Sequence, residues 1–343
     1  MTGDKIRVLI VDDSATVRAA LRASLDADPR IQVVAEACDG LQGVRMARAL
    51  RPDVITMDVQ MPLLDGLHAT EEIMTDAPAR ILMVCSVDQQ NEIDLSFKSI
   101  QAGALELIAK VKPGASSAAD WGRKVAEAVR LMSEVAVVRR HRSRHAPQPS
   151  VSPSRPGGLQ VIGIAASTGG PPVLATLLSA LPADFPLPML IVQHISSGFS
   201  AGLANWLNSL CKVRVELGVP GTRPEPGHVY LAPDDHHLEL GTTGVLLTPS
   251  SGGSGACPSA DRLFSSLARS RGAAAVGIIL TGMGEDGAQG LLELRQTGAL
   301  TLGQDRSSCV VFGMPKVAAE KGAVLDLLSV DRLREFLLQF AQG

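Results

Sequence analysis

Residues 161–170 read Val161-Ile162-Gly163-Ile164-Ala165-Ala166-Ser167-Thr168-Gly169-Gly170, and residues 6–14 read Ile6-Arg7-Val8-Leu9-Ile10-Val11-Asp12-Asp13-Ser14. Each is a short, nearly unbroken apolar run that stops at polar or glycine residues, the pattern of a strand buried on both faces and ending at a loop. Working outward from the second stretch, further runs follow at 31–35, 54–57, 81–85 and 105–108, separated by helix-like segments such as 15–27 and 40–50. A helix is expected over 121–138, where Val125, Ala128, Val129, Met132 and Val135 recur at three- and four-residue steps. Outward from the first stretch, runs at 189–192, 229–232, 274–280 and 299–302 read as strands, and 241–259 as a hairpin with a long loop. Alternating strands and helices predict parallel βαβ units, hence an α/β fold in both halves.

The chain has 343 residues, which at roughly 150 per domain favours two domains. Between the halves, residues 139–158 read RRHRSRHAPQPSVSPSRPGG, too polar and proline-rich to bury a core, and are expected to be a linker. Lysine plus arginine is 32 and aspartate plus glutamate 35, a formal charge of −3, which gives no reason to expect nucleic acid or an anionic membrane as partner. No apolar stretch reaches the roughly 20 residues of a membrane span, and Asp12 and Asp13 interrupt any signal-peptide core. Five widely spaced cysteines, at 38, 85, 211, 257 and 309, fit neither a disulfide framework nor a zinc site, so a cytoplasmic location is expected.

In the first half Asp12 and Asp13 follow one strand and Asp58 another. Ligands of open α/β sheets gather at the carboxyl ends of strands, and three carboxylates there repel unless a cation such as Mg²⁺ joins them. Lys110, after the fifth strand, can reach the same place. Alternatively, Asp12 and Asp13 cap the helix that starts at Ala15. The set of acidic pair, Asp58, Met61-Pro62, Asp65-Gly66 and Lys110 resembles the receiver domain of response regulators. That resemblance implies that Asp58 accepts a phosphoryl group, that Asp12, Asp13 and Asp58 bind Mg²⁺, and that Lys110 contacts the phosphoryl group. Three positions depart from the pattern: Cys85 replaces a hydroxyl residue, Leu107 an aromatic, and Val111-Lys112-Pro113 follow the lysine.

In the second half Ser167, His194 and Asp286 each lie just past an apolar run, and a parallel sheet would bring them to one rim. They are the parts of an acyl-transfer triad: imidazole takes the hydroxyl proton and a carboxylate orients the imidazole. Small residues around Ser167 allow backbone amides to form an oxyanion hole. Duller readings make Ser167 or Asp286 a helix cap and His194 a structural residue, with His228, His236 and His237 as other candidate bases. Gly282-x-Gly284-x-x-Gly287 also matches a dinucleotide fingerprint, although Glu285 and Asp286 would set negative charge against a pyrophosphate.

The motifs Ala166 to Gly170, Gln193-His194, Pro226-Gly227-His228, Ala232-Pro233, LTGMGEDG at 280–287 and SCVVFGMP at 308–315 together resemble the catalytic domain of CheB, the chemotaxis receptor methylesterase family. The resemblance implies a doubly wound receiver domain at 1–138, the linker, and a Rossmann-like, mostly parallel catalytic domain at 159–343. It makes Ser167 the nucleophile, His194 the base and Asp286 its orienter, with Thr168, Gly169, Gly170 and Met283 supporting the oxyanion loop and no cofactor in the esterase chemistry. It implies γ-glutamyl methyl esters of methyl-accepting chemotaxis receptors as substrates, receptor glutamines as a second target, a chemotaxis histidine kinase as phosphodonor, and a monomer that meets the membrane only through receptors. The receiver is expected to restrain the catalytic rim until Asp58 is phosphorylated. A receptor-binding scaffold without catalysis is the alternative from another class. Gly255-Ala256-Cys257, where the family often has an Arg-His pair, and Arg306, where it usually has an acidic residue, depart from the pattern.

Overall fold

The computed structural model describes residues 5–87, 90–110, 118–135, 158–250 and 255–341. Residues 139–157 of the expected linker and Val111, Lys112 and Pro113 lie outside them. The chain divides into two compact units, Met1–Arg142 and Ser143–Gly343.

The first unit runs β1 (Ile6–Val11), α1 (Ala15–Asp26), β2 (Ile31–Ala37), α2 (Gly40–Leu50), β3 (Val54–Met57), α3 (Gly66–Asp76), β4 (Arg80–Cys85), α4 (Gln90–Ala102), β5 (Glu106–Ala109) and α5 (Ala118–Ser133). Its sheet has the order β2-β1-β3-β4-β5, every pair parallel. The chain therefore winds both ways from β1, and the β1/β3 gap is the switch point at which α/β sheets form crevices. The helix starts explain themselves: Ser14, Asp39 and Asp65 each accept an amide hydrogen from the first turn of α1, α2 and α3. Ser14, and neither Asp12 nor Asp13, is the cap of α1, which leaves both carboxylates for other work.

The second unit contains β6 (Val161–Ala166), α6 (Gly170–Leu178), β7 (Met189–Gln193), α7 (Ser200–Leu210), β8 (Arg214–Leu217), β9 (His228–Leu231), β10 (His236–Leu240), β11 (Val245–Pro249), α8 (Ala260–Ser270), β12 (Ala275–Ile279), α9 (Ala288–Gln296), β13 (Leu300–Gln304), α10 (Met314–Glu320), β14 (Asp326–Leu328) and α11 (Val330–Ala341). Seven parallel strands lie in the order β14-β13-β12-β6-β7-β9-β8, and β10 and β11 form a separate antiparallel hairpin. The central strands β6, β7 and β12 are buried along their whole length, which is why their sequences show no polar alternation.

Two edge strands and the first arm of the hairpin escape the sequence pattern. Short β8 and β14 pair along one side only and include polar residues, and β10 opens with His236 and His237. The hairpin thus begins before the expected 241–259 segment.

Helix α8 places Leu263, Phe264 and Leu267 in the core shared with β6, β12 and α9. Full burial of a side chain such as Phe264 stabilises by roughly 2–3 kcal/mol. The contact between α8 and α9 is close because of Gly290: a Cβ there would lie 2.2 Å from the backbone oxygen of Asp261. Gly290→Val must push the helices apart and is expected to destabilise this unit by about 2–3 kcal/mol. Gly255→Ala, into open space, should leave urea denaturation unchanged.

Candidate functional site

The register of the seven-stranded sheet sets the candidate active site. Ala165 lies beside Val192 on one side and Ile279 on the other, so β12, β6 and β7 end at one level. Ser167, His194 and the 280–287 loop carrying Asp286 are the next residues out. Adjacent backbones interlock there: Ser167 N–H donates to the Thr281 oxygen at 3.0 Å and His194 N–H to the Ala166 oxygen at 2.8 Å. The β6/β12 boundary is also where the chain reverses its direction of winding across the sheet.

His194 Nε2 lies 2.9 Å from Asp286 Oδ2. Nδ1 is thereby the ring nitrogen left for a reacting hydroxyl. Asp286 sits at the start of α8, where Oδ1 accepts from Ser259 Oγ and Asp261 N–H, both at 3.0 Å, and Oδ2 from Ala260 N–H at 2.7 Å. Burial alone would favour the neutral acid, but the bonds from His194, Ala260 and Asp261 outweigh it and hold this carboxyl below its ordinary range. Gly287, without a side chain to contribute, occupies the cap position of α9, so Asp286 serves a different helix from the one it precedes in sequence.

The turn at Ser167 is braced by two side chains. Gln193 Nε2 donates to the backbone oxygens of Ser167 and His194, each at 2.8 Å. A Cβ on Gly170 would fall 2.1 Å from Gln193 Oε1, so glycine is required beside this brace. Thr281, fully buried, donates from Oγ1 to the Thr168 oxygen at 3.0 Å and accepts from Val311 N–H at 2.9 Å. Gly169, with φ 75°, caps α6, so Ser167 is not the cap. Gly170 N–H is committed to the Ser167 oxygen at 2.8 Å, and Pro171 and Pro172 have no N–H to give. Among the described residues, the amides of Thr168, Gly169 and Met283 have no acceptor.

Three other histidines have structural occupations. His228 stacks on Tyr230 with centroids 6.0 Å apart, His236 Nδ1 lies 2.9 Å from the Asp234 oxygen, and His237 Nδ1 accepts Ser259 N–H at 3.1 Å. Gln193 and Thr281 lie within the quoted motifs and Ser259 ends the 241–259 segment, but the sequence assigns none of them a role. Nothing local signals the bonds that matter to the site, because Ser167, Asp286 and Thr168 lie 26, 27 and 113 positions from Gln193, Ser259 and Thr281.

In the first unit Asp12, Asp13 and Asp58 converge at the β1/β3 switch point, with one oxygen of each within 4.8 Å of the others. Lys110 Nζ bridges Asp12 Oδ2 at 2.9 Å and Asp58 Oδ1 at 2.7 Å. Burial, then the Asp12 charge, pushes the Asp58 carboxyl up to about 6, against the pull of Lys110. Burial likewise raises Asp12. A cluster of hard oxygen donors with excess negative charge fits a divalent cation. The departures take definite places: Cys85 is buried and accepts from Ser96 Oγ at 3.1 Å, its thiol pushed up by burial to about 12, and Leu107 is buried.

Family models match both halves, the response regulator receiver domain over residues 8–115 and the CheB methylesterase over 162–337. A Myxococcus xanthus protein named protein-glutamate methylesterase/protein-glutamine glutaminase 3 is 46% identical over 97% of this chain and 93% of its own. One of the same name from Anaeromyxobacter dehalogenans is 43% identical over 97% and 98%. The crystal structure of the Thermotoga maritima CheB methylesterase catalytic domain matches with TM-score 0.51 and 34% identity, covering 53% of this chain and 98% of that one. With a receiver unit, a sheet rim bearing serine, histidine and aspartate, and relatives matched along nearly its whole length, the chain belongs to the CheB methylesterase family.

Proposed function

We propose that this chain is a phosphorylation-regulated protein-glutamate methylesterase and protein-glutamine glutaminase acting on chemotaxis receptors. The observation that carries the reading is the convergence of Ser167, His194 and Asp286 at the ends of three adjacent strands, with the imidazole already on the carboxylate at 2.9 Å.

Ser167 Oγ attacks the γ-carbonyl of a glutamyl methyl ester while His194 takes its proton through Nδ1 and leans on Asp286 through Nε2. The oxyanion is held by the free amides of Thr168, Gly169 and Met283, while Gly170 fixes the turn. Collapse of the tetrahedral intermediate expels methanol, which receives the proton from His194. Water, activated by the same histidine, then hydrolyses the acyl-enzyme to glutamate. A glutamine side chain follows the same path and releases ammonia.

In the first unit Asp58 takes the phosphoryl group from a chemotaxis histidine kinase, and Lys110 steadies its oxygens. Asp12, Asp13 and Asp58 would hold Mg²⁺, which when bound offsets the negative charge gathered there. No described helix is long and apolar enough to cross a membrane. The division at 1–138, 139–158 and 159–343 belongs to the same proposal, as does a monomeric, cytoplasmic protein.

Methanol release from methylated receptor membranes should vanish in Ser167→Ala and fall about 10³- to 10⁴-fold in Asp286→Asn. A scaffold without catalysis would release none in either case or in the wild type. A small-molecule phosphodonor should raise the wild-type rate and leave Asp58→Asn unaffected. Identical rates for phosphorylated and unphosphorylated wild type would remove the regulatory half of the proposal.

The Asp58 carboxyl also sets a stability slope. Its value of about 6 lies above the unfolded value near 3.9, so the folded state binds the extra proton and the receiver loses stability as pH rises between them. In chelator, Asp58→Asn should stabilise the receiver by roughly 2–3 kcal/mol at pH 7.5 and hardly at all near pH 4. Millimolar Mg²⁺ should narrow the gap at pH 7.5, as read by urea denaturation across pH.

A further inference from the structure

We infer that Ser259 is a positioning residue for this reaction: with the first amides of α8, its hydroxyl fixes the Asp286 carboxylate and draws charge away from the side facing His194. The inference rests on the reading of Asp286 as the group that orients His194.

A carboxylate with one strong partner can turn about its Cβ–Cγ bond. Asp286 is denied that freedom because both oxygens are held, Oδ1 by Ser259 Oγ and Asp261 N–H and Oδ2 by Ala260 N–H, with His194 Nε2 2.9 Å from Oδ2. The direction of the Ser259 hydroxyl is also fixed. Its oxygen accepts Arg262 N–H at 3.3 Å as the cap of α8, so its single proton is directed to Asp286.

Ser259 is itself held from behind. Its N–H donates at 3.1 Å to Nδ1 of His237, a buried ring that must be neutral, with its proton on Nε2, to accept it. Burial lowers the pKa of His237, in keeping with that state. The tie is also returned across the helix pair. Asp261 Oδ1 accepts Gly287 N–H at 3.0 Å and Gly290 N–H at 2.7 Å, so Asp286 binds the start of α8 while Asp261 binds the start of α9. The loop carrying Asp286 and the helix receiving its carboxylate are thereby clasped at two points.

Charge follows from the same contacts. The titratable groups that interact with the carboxylate are His194, Asp261 on α8 and His237 on β10, and the charges of Arg262 and Glu239 in turn act on His237. Arg262 is occupied by Glu239. Donors on the carboxylate besides His194 are therefore the polar hydrogens of Ser259, Ala260 and Asp261. Without the Ser259 hydroxyl, Oδ1 loses one of its two donors and His194 faces a more mobile, more fully charged partner.

Ser259→Gly isolates this effect, because glycine caps a helix nearly as well as serine. In the full-length protein with phosphodonor, on receptor membranes carrying labelled methyl groups, kcat should fall about tenfold while KM stays within about twofold. The acid limb of the kcat profile should move up by about half a pH unit. Ser259→Thr, which keeps the hydroxyl, should restore both. Wild-type kcat and pH profile in Ser259→Gly, or failure of Ser259→Thr to improve on it, overturns the inference. Asp286→Asn run in parallel separates the two failures: activity there overturns the triad reading itself, whereas an inactive Asp286→Asn beside a normal Ser259→Gly defeats only the role of Ser259.

Discussion

Everything at the catalytic rim depends on the parallel register of three central strands. With Ala165 level with Val192 and Ile279, the residues that follow each strand are delivered side by side although they are far apart in sequence. Backbone bonds then lock the three exits together before any side chain is considered, from Ser167 to Thr281 and from His194 to Ala166. A slip of one residue in β6 would set a larger side chain where only Gly163 fits, since a Cβ there would lie 2.4 Å from Leu267, so close packing enforces the geometry of the site. Chemistry here is a by-product of a register that hydrophobic packing already fixes.

The two units use the same address for opposite electrostatic ends. In both, carboxylates stand at the carboxyl ends of strands beside a switch point. In the receiver they are crowded and buried, and Asp58 and Asp12 are pushed up despite Lys110, so that unit holds unfavourable charge that a cation or a phosphoryl exchange can relieve. In the catalytic unit Asp286 is surrounded by donors and held low, although Asp261 beside it is raised by burial. The first arrangement responds to ligands, and the second resists change. Counting acidic residues would not separate them, whereas counting the hydrogens pointed at each oxygen does.

Much of this was legible in the sequence because strand interiors and strand exits leave strong local marks. Unbroken apolar runs located β1, β3, β6, β7 and β12, and the polar residues just past them included Asp12, Asp13, Asp58, Ser167 and His194. Capping chemistry was less legible: Asp12, Asp13 and Asp286 all had a plausible local role as caps, and the structure gives those positions to Ser14 and Gly287. Edge strands β8 and β14 were missed because one-sided pairing relaxes the demand for apolar residues. Ser259 was missed for another reason. It lay in a segment whose glycines and serines carried no period, and its partner sits 27 positions away on another loop.

The clasp between α8 and α9 also bears on how this protein can change over evolutionary time. In many enzymes a catalytic carboxylate is a liability to the fold, and replacing it gains stability at the expense of activity. Here Asp286 satisfies the first amides of α8, groups that a helix otherwise leaves open to solvent or orphaned. With Asp286 as the proposed orienter of His194, its loss would weaken the fold and the chemistry together. A lineage that abandoned catalysis would gain no stability by discarding this aspartate, so a retained Asp286 in an inactive descendant would testify to the helix rather than to the reaction.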